Sequence, residues 1–258
     1  MIPVKEEIAD RFKNENLGSH WKVDESDESF ARLMHYLEVT TNFKAFFEEA
    51  LEHFDREKGG LPSEIIVADM GSGICWASSL MARRSDVKVV YAVDPSDNRL
   101  KHAKFVTRHF GVENKVKIIC GTFSEPHLPE KADLILLCSA LHHCYESGVP
   151  QLFSNIRKSL KPYGKALIAN EFYVDILWVA KRLLACIKHA RDKNWECSFI
   201  DPRAPDSDGN HWRTKKELED MFMKYGFDVK FFPHKDKRPL YQRLGWHYYC
   251  ALLSVNTE

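Results

Sequence analysis

The sequence predicts an α/β protein: a three-layer sandwich around a mostly parallel seven-stranded sheet, with N-terminal helices and a helical lid between the fifth and sixth strands. Three observations predict it. From residue 64 onward, short β-rich apolar runs alternate with helical stretches, the rhythm of parallel strands joined by right-handed helical crossovers. The stretch VADMGSGIC (67–75) runs from an apolar strand through Asp69 into two glycines one residue apart. The next strand, in KVVYAVDPS, ends on a second acid, Asp94, 25 residues after the first.

The elements follow in order. Residues 24–58 read as one or two helices, with Phe30, Leu33, Tyr36 and Leu37 at three-to-four spacing, and Gly59, Gly60 and Pro62 close them. Strands are expected at 64–69, 88–93, 115–120, 132–138 and 165–170, and helices at 74–84, 97–110 and 148–160. Beyond Glu171 an amphipathic stretch (173–193) leads through a polar loop (201–210) to a helix at 214–225 and two last strands, 227–232 and 246–254. The expected partition is a helical cap at 1–60, a core at 61–172, a lid at 173–213 and a closing helix and strands at 214–258.

Composition narrows the function classes. With 44% apolar and 29% charged residues the chain reads as globular, and 258 residues suffice for a substantial core. Thirty-seven basic and 37 acidic side chains cancel, so no global attraction to nucleic acid is expected. No run approaches the length of a membrane span, and MIPVKEEIAD lacks the apolar stretch of a secretory signal. The seven cysteines include no C-x-x-C pair, which predicts no metal site and a reducing, cytoplasmic setting. A monomer or a homodimer is expected.

A pair of glycines at a strand end means that the backbone bends sharply or that something approaches closely. In a doubly wound sheet that place is where ligands sit, and an acid about one strand–helix–strand unit further on suits ribose hydroxyls. A nucleoside-containing cofactor is therefore the first hypothesis. NAD fits poorly, because the third position of its G-x-G-x-x-G fingerprint is Trp76 here.

The sequence resembles the class I S-adenosylmethionine-dependent methyltransferases of the small-molecule type, over roughly 64–172 and the last two strands. The acid-x-G-x-G motif is matched at Asp69, Gly71 and Gly73, and the acid ending the second strand at Asp94. ADLILLCSALHH resembles the fourth strand and its loop, and LKPYGKALIANE the turn into the fifth. Two positions depart from the pattern: Cys75 where a glycine is common, and Thr122 where an acid often meets the adenine. The resemblance implies S-adenosylmethionine as cofactor, with contacts at Asp69, Gly71, Ser72, Gly73, Asp94, Pro95, Thr122, Phe123, Cys138 and Ser139. The alternative is a non-catalytic binding or interaction protein on the same fold.

Methyl transfer is an in-line displacement, and a base is needed only for a protonated nucleophile. His142 and His143, after the fourth strand, and Glu171, ending the fifth, are the candidates. His211, Trp178 and Trp212, in and beside the lid, are candidate substrate contacts. The place of an N-P-P-Y motif reads CSALHH, which disfavours base or glutamine amines, and no Pro-Cys exists for cytosine C5 chemistry. Cys138 and Cys144 are thin support for a thiol relay. What remains is an O, N or S atom of a small metabolite, O slightly ahead. Lys181, Arg182, Lys188, Arg191 and Lys193 suit an anionic or amphiphilic molecule, while residues 1–60 hold 8 basic and 14 acidic side chains.

Overall fold

The computed structural model describes residues 17–181, 211–234 and 245–256. Seven strands form one sheet: β1 (Ile65–Met70), β2 (Val87–Asp94), β3 (Val116–Cys120), β4 (Ala132–Cys138), β5 (Leu160–Val174), β6 (Phe227–Pro233) and β7 (Trp246–Val255). Their order is β3-β2-β1-β4-β5-β7-β6. The first five pair in parallel, and β7 runs antiparallel to both β5 and β6. The two central strands, IIVADM and ADLILLC, are buried along their whole length. Strands covered on both faces read as unbroken apolar runs, which is why these two are the plainest in the sequence.

The pleat sends alternate residues to two cores. Val67, Val90, Leu134 and Leu136 pack on one face with Leu33, Phe47, Phe54 and Met81. These come from α1 (Asp27–His35), α2 (Phe43–Glu57) and α3 (Trp76–Ala82), and α4 (Asp97–His109) joins them through Ala103 and Val106. On the other face Ile66, Ala68, Ile135 and Leu137 meet Leu152, Phe153 and Ile156 of α5 (Val149–Ser159) and Phe222 of α6 (Lys215–Lys224). Emptying one such site, as in Phe153→Ala, removes roughly 3–5 kcal/mol.

Three helix starts are capped by side chains. Ser26 and Ser96 accept from the backbone three residues on, and Thr214 with Glu217 forms a capping box before α6. Between α1 and α2 the chain makes a π-helical turn (Tyr36–Thr40), and Asn42 then takes a left-handed conformation (φ 61°), which Asn tolerates.

Strand β5 is longer than its apolar run. It begins at Leu160, takes in Tyr163 with φ +66°, and continues past a bulge between Ile168 and Glu171 to pair Val174 with Trp246. The polar Asn170 and Glu171 hide this extension in the sequence. A helix starts at 176 and is described to 181; the rest of the stretch to 193 and the loop at 201–210 lie outside the described residues.

Candidate functional site

The strand order reverses between β1 and β4, so the loops after their carboxyl ends diverge and leave a crevice. On the β1 side the chain bends at Gly71 (φ +80°) and Gly73 (φ +56°). A Cβ on Gly71 would stand 2.8 Å from the Ala140 Cβ and 3.3 Å from the Phe123 ring. Both glycine's freedom of φ and its lack of a side chain are used there. Cys75 is also left-handed (φ +66°), a conformation that favours glycine.

Beneath this bend lies Asp69, fully buried. Ser78 Oγ donates to its Oδ2 at 2.5 Å, while Oδ1 has no partner. Burial above all, with Asp94 nearby, outweighs the Ser78 hydrogen bond and pushes the Asp69 carboxyl up to about 7. Asp94 accepts the Gly73 N–H (2.8 Å) on Oδ2 and the Ser96 N–H (2.9 Å) on Oδ1. The carboxylate thereby ties the bend to the end of β2.

Two hollows share Gly71, Arg99, Ser139 and His143. The first, about 380 Å³, is lined by Asp94, Pro95, Thr122 and Phe123, and further out by Tyr145 and Gln151. Thr122 sits in a tight turn: its Oγ1 pairs with Ser124 Oγ at 2.9 Å and accepts the Glu125 N–H at 3.0 Å. The second, about 290 Å³, runs from Gly71, Ser72 and Gly73 past Cys138 to His142 and Asn170, under Leu17, Trp21 and Phe43.

Glu171 organises the loop after β4. Its Oε1 accepts the N–H groups of Ala140 and Leu141, at 2.7 Å each, and its Oε2 faces His142 Nδ1 at 2.8 Å. A carboxylate in that place receives a proton from Nδ1 and leaves Nε2 as the ring nitrogen turned away from Glu171. Glu171 itself is buried and lines neither hollow, so its place is behind the histidine. The His143 ring lies 4.1 Å from that of His142, at the junction of the hollows.

The three expected substrate contacts occupy a rank further back. Trp178 and Trp212 pack in a tilted pair (4.6 Å), and Trp212 lies against Phe172 and Trp246, at 5.1 Å from each. His211 packs edge-on against Tyr145 and its N–H donates to the His142 carbonyl (2.8 Å). Neither hollow includes any of the three among its described lining residues. Arg213 donates from Nη2 to Glu146 (2.7 Å) and to the Cys144 carbonyl (3.2 Å).

Sequence reasoning missed Arg99, Asn170, Phe172 as a lining ring, Trp246 and Tyr248, because nothing in their local pattern separates a wall from a core. Burial pushes the Cys138 thiol well above its ordinary value, with Asp69 and Glu171 adding to it, and that of Cys144 up to about 12. Among the described residues no group of three His, Cys, Asp or Glu is placed for a metal ion, and no helix is long and apolar enough to cross a membrane.

Residues 68–168 match the family described as "Methyltransferase domain", the stretch from the end of β1 into β5 that contains both acids and the glycine bend. The chain has the fold of class I S-adenosylmethionine-dependent methyltransferases, over a stretch that matches a methyltransferase domain. Among solved structures, this chain is similar to geranyl diphosphate C-methyltransferase from Streptomyces coelicolor, bound to Mg²⁺, geranyl diphosphate and S-adenosyl-L-homocysteine. The two share 13% identity over 98% of each chain, with a TM-score of 0.62. A SAM-dependent methyltransferase from Thiobacillus denitrificans, in complex with S-adenosyl-L-homocysteine, gives a TM-score of 0.56 at 19% identity over 87% of this chain and 98% of the other. Among curated proteins, histone-arginine methyltransferase CARMER of Drosophila mojavensis is 28% identical over 130 residues, 50% of this chain but only 22% of its own length.

The family's cofactor is S-adenosylmethionine, and the residues present fit it. An unpartnered buried carboxylate oxygen, Asp69 Oδ1, is costly by itself and is offset by a cation such as an α-amino group. The Gly71 bend leaves bare main chain beside it.

Proposed function

We propose that this methyltransferase acts on an oxygen, nitrogen or sulfur atom of a small metabolite, with His142 as the base for an acceptor that arrives protonated. The observation that carries this reading is His142 on the wall of the second hollow, beside the glycine bend, with Glu171 behind it. S-adenosylmethionine, when bound, supplies a methyl group made electrophilic by its sulfonium.

The rest falls to the chain. Ser72 and the Gly71 and Gly73 main chain would hold the amino-acid tail, with Asp69 beneath it. Asp94 would accept the ribose hydroxyls, charge-assisted bonds being the stronger kind. Pro95, Thr122 and Phe123 would wall the base in the first hollow, and Cys138 and Ser139 would floor the junction. Holding acceptor and methyl group in line can supply about 7–11 kcal/mol. His142 Nε2 takes the acceptor's proton, and Glu171 steadies the resulting imidazolium. The acceptor's lone pair forms the bond to the methyl carbon as the carbon–sulfur bond breaks and its electron pair stays on sulfur. His143 lines the same junction and would shape the approach.

The histone-arginine relatives raise a guanidinium as acceptor. The described lining of the second hollow contains no Asp or Glu to receive one, which favours a small acceptor. The test is incubation with radiolabelled methyl donor and a metabolite pool. Label in a small product, lost in His142→Ala, is expected; tight S-adenosylhomocysteine binding with no turnover of any pool would instead indicate a non-catalytic binding protein.

A further inference from the structure

Within the second hollow one wall is a continuous file of rings. Phe43 lies 6.3 Å from Tyr248, Tyr248 6.1 Å from Trp246, Trp246 4.5 Å from Phe172, and Phe172 5.1 Å from His142. The file begins at the N-terminal helix, crosses two strand ends and stops at the imidazole. It is held from behind by Trp212, which no ligand needs to touch.

Two polar atoms of this wall are buried without a hydrogen-bond partner: Asn170 Oδ1 and Trp246 Nε1. The Asn170 assignment follows from chemistry, since its other amide atom faces the Phe43 carbonyl at 2.7 Å and must be the nitrogen that donates. Asn170 is itself almost wholly buried, and it adopts a left-handed conformation (φ +53°) to stand there. A buried acceptor and a buried donor left unmet are unusual in a folded protein, and a ligand that meets them removes that cost. The sign of charge is also selected. The described lining holds Arg99 but no carboxylate, and aromatic cages for cations work best where nothing positive stands beside them.

We infer that the second hollow is an acceptor subsite for a planar aromatic molecule without positive charge, carrying a reactive hydroxyl for His142 and a further polar substituent for Asn170 or Trp246. This rests on the function proposed above and deepens it. The hydroxyl proton passes to His142 Nε2, the oxygen pair bonds the methyl carbon, and the sulfur keeps the electrons of the bond it loses. The product is an aryl methyl ether, and the imidazolium proton leaves to solvent. At about 290 Å³, shared with the amino-acid tail, the space suits one or two rings.

The test is calorimetric titration and tryptophan fluorescence on the full chain, first with S-adenosylhomocysteine and then, on the loaded protein, with three probes. These are 2,7-dihydroxynaphthalene, its fully saturated diol, and phenyltrimethylammonium. The aromatic diol is expected to bind at least tenfold tighter than either of the others and to quench tryptophan emission. Trp246→Phe, which keeps a ring and removes only the N–H, is expected to weaken the diol about fivefold and leave S-adenosylhomocysteine affinity unchanged. Equal affinity for the saturated diol, preference for the cation, or no binding by the loaded protein would overturn this inference alone. Failure of S-adenosylhomocysteine itself to bind would overturn the cofactor assignment, and this inference with it.

Discussion

The two hollows that meet at Gly71 and Ser139 are built on different plans. The first is made where short loops leave parallel strands, and its decisive features are Asp94 on its wall and the Gly71 bend that it shares with the second. The second is walled by rings from separated parts of the chain: Trp21, Phe43, Trp76, His142 with His143, Phe172, and Trp246 with Tyr248. A common ligand needs a backbone cradle that tolerates few changes. An acceptor peculiar to one protein needs side chains, which can be exchanged on a constant frame.

The comparison can be broken most severely at His142. His142→Ala is expected to lower methyl transfer by roughly 10²–10⁴-fold with S-adenosylhomocysteine affinity retained, measured as turnover against calorimetric binding. Parallel loss of affinity would mean that the histidine serves the first hollow instead. Glu171→Gln should move turnover in the same direction by a smaller factor, because the base remains but its orientation loosens.

Next is the backbone cradle. Gly71→Ala forces a side chain into a left-handed position, at roughly 1–2 kcal/mol, and against Ala140, at roughly 1–3 kcal/mol more. Thermal unfolding should fall by several degrees and cofactor affinity by about a hundredfold. Asp94→Ala, which removes a charge-assisted acceptor, should weaken S-adenosylhomocysteine at least tenfold. An intact fold with unchanged affinity would take Asp94 out of the site.

The smallest expected effect is in the pH dependence of Asp69. Its carboxyl is raised from 3.8 to about 7 in the folded chain, chiefly by burial. Between those values the folded chain holds a proton that the unfolded chain has lost. Stability from this group is therefore present below about pH 4 and is lost as pH rises through about 7. A cationic amino group favours the ionised form, so S-adenosylhomocysteine affinity should climb from pH 6 to 8. Asp69→Asn should flatten that slope, as counted by proton release in buffers of different ionisation enthalpy.

The same division explains what the sequence disclosed. Central strands such as IIVADM and ADLILLC are apolar but for one buried acid each because both faces are covered, and the bend after the first needs glycine, so fold and cradle were legible. The far half of β5 was not, since Asn170 and Glu171 read as the end of the strand and are in fact a bulge beyond which it continues to Val174. Glu171 was legible as an acid near the chemistry but not as the partner of His142. Trp178 and Trp212 were taken for contacts and stand one layer behind them, while Trp246 and Tyr248, on the last strand, line the space. Aromatic spacing along a chain does not say which ring of a stack faces the cavity.

The most direct test of the whole account is a crystal structure with S-adenosylhomocysteine bound. The adenosine is predicted beside Asp94 and Phe123 in the first hollow, the amino-acid tail along Gly71 to Gly73, and the sulfur turned toward His142. Adenosine density among the rings of Phe172, Trp246 and Tyr248, or a tail that leaves Asp69 Oδ1 still without a partner, would contradict it.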